Sequence, residues 1–273
     1  MIEIKKGKEP PALIAYRKTK YATYDDMPKA VHDAVLDSLM QEQGYLCAYC
    51  MCRIPQKGKI PSATIEHWDP QSKTCTDKAL DYRNMLAVCN GNRGCGSQKY
   101  MTCDAKRKNA PLTVHPLNPL TLSSIQYKSD GRISSPAPNI NTDLDDTLNL
   151  NCALVGLVEN RRRALQALQS KLKKKYPTGD IALPCLKLLQ MYQSQPVKTP
   201  YLGILIWWLQ KHIQKNEVGC LHGRVNRRRD HPLISNTIYI QTVDLFLRPI
   251  LHIMSDNIVV QNNGGIFSFK EIN

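Results

Sequence analysis

Two thiols spaced as Cys47-Ala48-Tyr49-Cys50, answered downstream by Cys89 and then by Cys95 and Cys103, constrain this chain more than any other feature. A C-x-x-C pair can turn both sulfurs inward in a knuckle, and two further thiols complete a tetrahedral, zinc-type site. Such a site folds a small unit too poor in apolar residues to hold itself together. The fourth ligand is Cys103 or Cys95, and Cys52 lies close enough to Cys50 to compete. Ten cysteines, behind a start (Met1-Ile2-Glu3-Ile4-Lys5) without an apolar secretion core, suit a reducing, cytoplasmic compartment with thiols kept for metal.

Between the halves of this frame stand Ile65-Glu66-His67 and Asn84. Ala63-Thr64-Ile65 reads as a short strand, and Pro70 ends it. Neighbouring residues on a strand point to opposite sides, so Glu66 can face a metal while His67 faces a water. Phosphodiester hydrolysis asks for a base of near-neutral pKa, which imidazole supplies, and a hard divalent cation, which a carboxylate holds. A net charge of +14 points to a polyanionic partner, nucleic acid first. Basic residues gather at Lys106-Arg107-Lys108, Arg161-Arg162-Arg163, Lys171 to Lys175 and Arg227-Arg228-Arg229. No G-x-x-x-x-G-K-[ST] loop is present, so an ATPase would have to be a separate polypeptide. The most apolar run, Tyr201 to Leu209, is far shorter than the ~20 residues needed to span a bilayer, and no membrane role is expected.

Cys47-x-x-Cys50, Ile65-Glu66-His67-x-x-Pro70, Asp81-Tyr82-x-Asn84-Met85-Leu86-x-x-Cys89 and Cys103-Asp104 together resemble the ββα-metal core of HNH endonucleases. More narrowly, the chain is similar to the HNH proteins of retron-associated and Septu-type (PtuB-like) anti-phage systems. That similarity adds Ile4-Lys5-Lys6-Gly7, Glu9-Pro10, Tyr16-Arg17, Pro116-Leu117, Asp130-Gly131 and Leu148-Asn149-Leu150-Asn151 with Arg161 to Arg163, and it covers residues 1 to 216. The resemblance implies hydrolysis of phosphodiester bonds, in DNA by default, with tRNA or other RNA as alternatives. It makes His67 the general base and Glu66 a ligand of a catalytic Mg2+ or Mn2+. Asn84 becomes a brace for the loop bearing His67, and Cys47, Cys50, Cys89 and Cys103 become ligands of a structural Zn2+.

The last histidine of that pattern has no counterpart here. Asp104 stands in its place as a second oxygen ligand, with Lys106, Arg107 and Lys108 nearby for phosphate. Cys103 is favoured over Cys95 because the Cys95 register would put Gly96, which has no side chain, at the ligand position. A partner ATPase (PtuA-like) and a retron reverse transcriptase with its nucleic acid are the partners the resemblance implies. The competing reading is a non-catalytic, zinc-stabilised nucleic-acid-binding module in which Glu66-His67 is incidental.

The expected architecture is α+β. An N-terminal arm and helix (1–44) lead into a ββα-metal nuclease core with its zinc knuckle (45–133). A linker (134–142), a mainly helical region (143–216) and a tail of unassigned role with a small hairpin (217–273) follow. Asp25-Asp26-Met27-Pro28 starts a helix whose Val31, Val35, Leu36, Leu39 and Met40 recur at helical spacing, and Gly44 stops it. The spacing predicts one long helix from Asp143 to Lys175, broken by Pro177 and Gly179, and shorter helices over Ile181 to Gln193 and Leu202 to Gln214. Asn262-Asn263-Gly264-Gly265 predicts a hairpin turn.

Overall fold

A computed structural model of the chain describes residues 1–54, 63–70, 76–224, 258–263 and 266–271. The fold is α+β and mostly helical, with small two-stranded sheets. It divides into a unit of Met1–Cys220 and a second of Leu221–Asn273. The basic cluster Arg227-Arg228-Arg229 and the turn residues Gly264 and Gly265 lie outside the described residues.

The first unit opens with α1 (Pro11–Arg17) and α2 (Lys29–Glu42). Ahead of α2, the Asp26 N–H donates to Thr23 Oγ1 at 3.1 Å, and the Pro28 carbonyl accepts from Val31 and His32. Val35, Leu39 and Met40 bury the face that the spacing predicts. The chain leaves α2 through Gly44 at φ +59, a conformation that glycine enters without steric cost. Gly44 also has no room for a side chain, because a Cβ there would lie 2.2 Å from Lys198 Cγ. Distant chain returns at this point: Lys198 N–H donates to Gly44 O (3.0 Å) and Tyr201 N–H to Met51 O (2.9 Å). Arg53 donates to the carbonyls of both Gly44 and Lys198, closing the contact.

β1 (Thr64–His67) pairs antiparallel with β2 (Met85–Val88), with Glu66 opposite Leu86 and His67 opposite Met85. Between them lie α3 (Thr76–Ala79) and a single 3-10 turn over Tyr82–Asn84. Every residue of β2 is buried, so its backbone must be satisfied from within the protein. The side chain of Gln43 does part of this, donating to Ala87 O at 2.7 Å and accepting from Ala87 N–H at 2.8 Å. It acts as a one-residue strand beside β2, where the Ala48 N–H also donates to Ala87 O at 3.1 Å.

After β2 come α4 (Cys103–Arg107), α5 (Pro119–Ser123), the antiparallel pair β3 (Gln126–Tyr127) and β4 (Ile133–Ser134), and α6 (Pro138–Thr142). The stretch 134–142 is therefore not a linker. Pro138 suits the first helical position and Ile140 is buried, which makes α6 part of the core. Nor is Asp143 to Lys175 one helix. Residues 143–147 form a π turn, Asn149 takes φ +51 and Gly156 φ +72, and α7 begins only at Leu157 (Leu157–Lys175). The reason lies in burial: Leu144, Leu148 and Leu150 are all fully buried, and Leu150 would fall about 200° from Leu148 on a straight helix. The chain turns so that both go inward.

α7 buries Leu157, Leu165, Leu168 and Leu172, with Arg161 on the same stripe. Arg161 is buried but paired with carbonyls, donating to Gly131 O at 2.6 Å and Leu150 O at 2.7 Å. α8 (Ala182–Ser194) accepts Pro184 because it falls in the first turn, and α9 (Leu202–Arg224) runs past the end predicted at Gln214. Among the described residues no helix is long and apolar enough to cross a membrane. In the second unit, β5 (Ile258–Asn263) and β6 (Ile266–Glu271) form an antiparallel hairpin.

Candidate functional site

Three separate elements bring the thiols together. Cys47 and Cys50 sit on the turn after α2, Cys89 directly follows β2, and Cys103 opens α4. The turn is closed by Cys47 N–H on Cys52 O (3.0 Å) and Met51 N–H on Cys47 O (3.1 Å). Sγ separations are 3.8 Å for Cys47–Cys103, 3.7 Å for Cys50–Cys89 and 3.8 Å for Cys89–Cys103. All four sulfurs lie within 4.8 Å of one another. Zn–S bonds of about 2.3 Å at tetrahedral angles put sulfurs about 3.8 Å apart, so the spacing fits one ion, whereas a disulfide would need about 2.05 Å. The set can hold a structural metal such as zinc. Cys103 completes it. Cys95 is exposed, with its thiol turned to Asn92 O, and Cys52 is half-buried outside the four.

Glu66 and His67 end β1, both only 6% exposed, and they face different surroundings. Glu66 Oε1 accepts from Tyr49 Oη at 3.0 Å and from the Arg107 guanidinium. Arg107 also donates to Tyr49 Oη (3.0 Å), His67 O (3.1 Å), Trp68 O and, through Nε, Ala110 O (2.8 Å). Its side chain is fully buried. This corrects the expectation of a phosphate contact: of the basic trio, Arg107 is spent clamping α4 to the end of β1, while Lys106 is half-buried and Lys108 exposed.

Burial pushes the Glu66 carboxyl up to about 8, and the Asp104 carboxylate adds to the rise against the opposing pull of Arg107. A buried carboxyl whose ionisation a neighbouring carboxylate opposes, together with that neighbour, is a donor set that a hard divalent cation would suit. Asp104 is the residue after Cys103 and is itself paired with Arg93, from the loop between β2 and α4.

His67 turns the other way. Its Nε2 lies 2.9 Å from Ala79 O, and its ring meets the Tyr24 ring edge-on at 4.5 Å. A carbonyl can only accept, so Nε2 carries the proton and the neutral ring keeps its lone pair on Nδ1. Burial, partly offset by the bond to Ala79 and by Asp104, holds the imidazole below its ordinary pKa.

Asn84 braces the loop that follows. Its Oδ1 accepts from Asp69 N–H at 2.7 Å, and its Nδ2 donates to Asp69 O (3.1 Å) and Lys78 O (3.2 Å). The Asn84 carbonyl accepts Trp68 N–H at 2.9 Å. One side chain thus ties together the chain after His67 and the chain entering β2. Asn84→Ala is expected to destabilise the unit by about 1–3 kcal/mol, the cost of leaving such groups unmade, with zinc content unchanged. Urea unfolding alongside metal analysis checks both halves of that expectation.

Sequence reasoning missed Tyr49, Tyr24, Gln43 and Arg93. Tyr49 was in view inside the C-x-x-C turn, whereas nothing in local spacing marks the other three. Comparison with protein families finds none that matches the chain, and comparison with curated proteins finds no match either.

Proposed function

We propose that the chain is a metal-dependent nuclease of the HNH type, with a ββα core of β1, β2 and α4 held by structural zinc. One observation supports this above the rest: the Ala79 carbonyl accepts the Nε2 proton of a buried histidine, leaving Nδ1 with its lone pair as a base on a residue whose charge the Asp104 carboxylate favours. In this reading Nδ1 of His67 takes a proton from a water that attacks phosphorus, and the P–O bond to the leaving sugar oxygen breaks. Glu66 and Asp104 would hold Mg2+ or Mn2+. That ion supplies charge stabilisation for the phosphate and the leaving oxygen. Asn84 keeps His67 aimed. The net charge of +14 suits a nucleic-acid substrate, DNA by default and RNA as the alternative, and the sequence resemblance suggests an anti-phage effector working with a partner ATPase.

His67→Ala is expected to lower cleavage of plasmid DNA or tRNA by about 10²–10⁴-fold, in Mg2+ or Mn2+, with the zinc retained. Because His67 must be neutral to accept a proton and its pKa is depressed, the acid limb of the rate profile should fall below that of an ordinary histidine. Assays belong with and without a neighbouring ATPase. Binding without cleavage in every combination would favour the zinc-stabilised binding module, a reading that the commitment of Glu66 Oε1 to Arg107 and Tyr49 also supports.

A further inference from the structure

The arginine that the sequence offers for phosphate, Arg107, has its guanidinium committed to protein acceptors, so its charge is spent inside the fold. A different arginine reaches the neighbouring carboxylate, Asp104, from outside. Arg93 Nη2 pairs with Asp104 Oδ2, and its side chain is 53% exposed while that of Asp104 is 16%.

The loop that carries it is built to hold it there. Thr102 N–H donates to Gly91 O at 2.9 Å, and Asn92 Nδ2 donates to Tyr100 O at 3.1 Å. Gly91 has φ +59, and a Cβ at that position would sit 2.2 Å from Thr102 O, so the loop base lies directly on the entry to α4. Beyond this base, Gly94 and Gly96 take positive φ with open space around them. Arg93 stands just beyond this base, where its own N–H donates to Asn90 O at 3.0 Å.

We propose that Arg93 is a substrate-contacting residue that binds the phosphate at this site, an inference that rests on the nuclease reading above. The argument is one of charge. Arg93 answers the Asp104 carboxylate, which would also be a ligand of a divalent cation at this site. A guanidinium released from Asp104 in that way would have the phosphodiester of the substrate as its new acceptor. A planar, bidentate donor of fixed charge suits that group better than a lysine would. The salt bridge to Asp104 is then the resting contact of a side chain whose working contact is a non-bridging phosphate oxygen.

The test uses the full chain carrying His67→Ala, so that nothing is cut, with a fluorescent single-stranded oligonucleotide and Mn2+. Adding Arg93→Ala is expected to weaken binding about tenfold, as for one lost charge-assisted contact, and to flatten the log K against log salt slope by about 0.7. Arg93→Lys should recover the slope and only part of the affinity. Zinc content and melting temperature, read for each variant, separate these effects from misfolding, and the lysine variant carries the test if the alanine variant unfolds. Oligonucleotide affinity within about twofold of the parent, together with tighter Mn2+ binding, would make Arg93 a neutraliser of Asp104 only and overturn the proposal. The two readings fail separately. If the chain with His67 intact cuts nothing while Arg93→Ala still weakens binding, the nuclease reading falls and the contact stands; if it cuts and Arg93→Ala changes neither binding nor rate, the contact falls alone.

Discussion

Cys103→Ser is expected to strip the zinc from the first unit, taking the metal content from about one ion per chain to near none, while Cys95→Ser leaves it unchanged. The contrast follows from geometry, since Cys103 Sγ lies 3.8 Å from two other thiols and Cys95 is exposed on the loop outside the cluster. Structural zinc contributes on the order of 10 kcal/mol to small domains of this kind, so the serine variant should melt at far lower temperature and gain little from added zinc. The damage should reach beyond the knuckle. Cys103 is the first residue of α4, and the residues that follow it supply Asp104 beside Glu66 and Arg107 beneath β1. Metal analysis and thermal unfolding of the two variants side by side check this. Retention of zinc by Cys103→Ser would show that three thiols suffice.

Arg107→Met carries the second large effect. Methionine fills much of the same space but leaves the Glu66 carboxyl buried without its cation and removes the donors to Tyr49 Oη and to the carbonyls of His67, Trp68 and Ala110. Breaking a buried ion pair from one side costs about 3–5 kcal/mol, far more than an exposed pair is worth. Lys108→Met, one residue further on and at an exposed position, should stay within about 0.5 kcal/mol of the parent. Chemical unfolding with zinc saturated reads both. A loss below about 1 kcal/mol for Arg107→Met would mean that the clamp is dispensable.

What was legible in the sequence was local. The C-x-x-C knuckle, α2 with its stop at Gly44, the strand before Pro70 and the hairpin strands near the end all follow from spacings of a few residues. The choice of Cys103 over Cys95 was also open to argument, because only the Cys103 register leaves an oxygen donor in the next position. Arg107 was misread because Lys106-Arg107-Lys108 looks like surface charge. Yet Arg107 falls four residues after Cys103, on the same helical face as a thiol that must point inward, and that spacing already marked it as buried. The long helix from Asp143 failed for a different reason. Its apolar positions satisfy a helical period on average, but the chain turns through left-handed residues at Asn149, between the buried Leu148 and Leu150, and again at Gly156 before α7, and periodicity carries no sign of those. Arg93 was beyond reach because its meaning depends on a loop whose path is set by contacts with Thr102 and Tyr100.

The return of the chain at Lys198 onto Gly44, with Tyr201 bonded to Met51, has a bearing on how the protein is made. Synthesis is vectorial, and domains assemble as their parts emerge from the ribosome. A nascent chain released only as far as α7 exposes a knuckle whose rear wall has not yet been translated. Its assembly is finished late, once the residues that lead into α9 arrive to cover it.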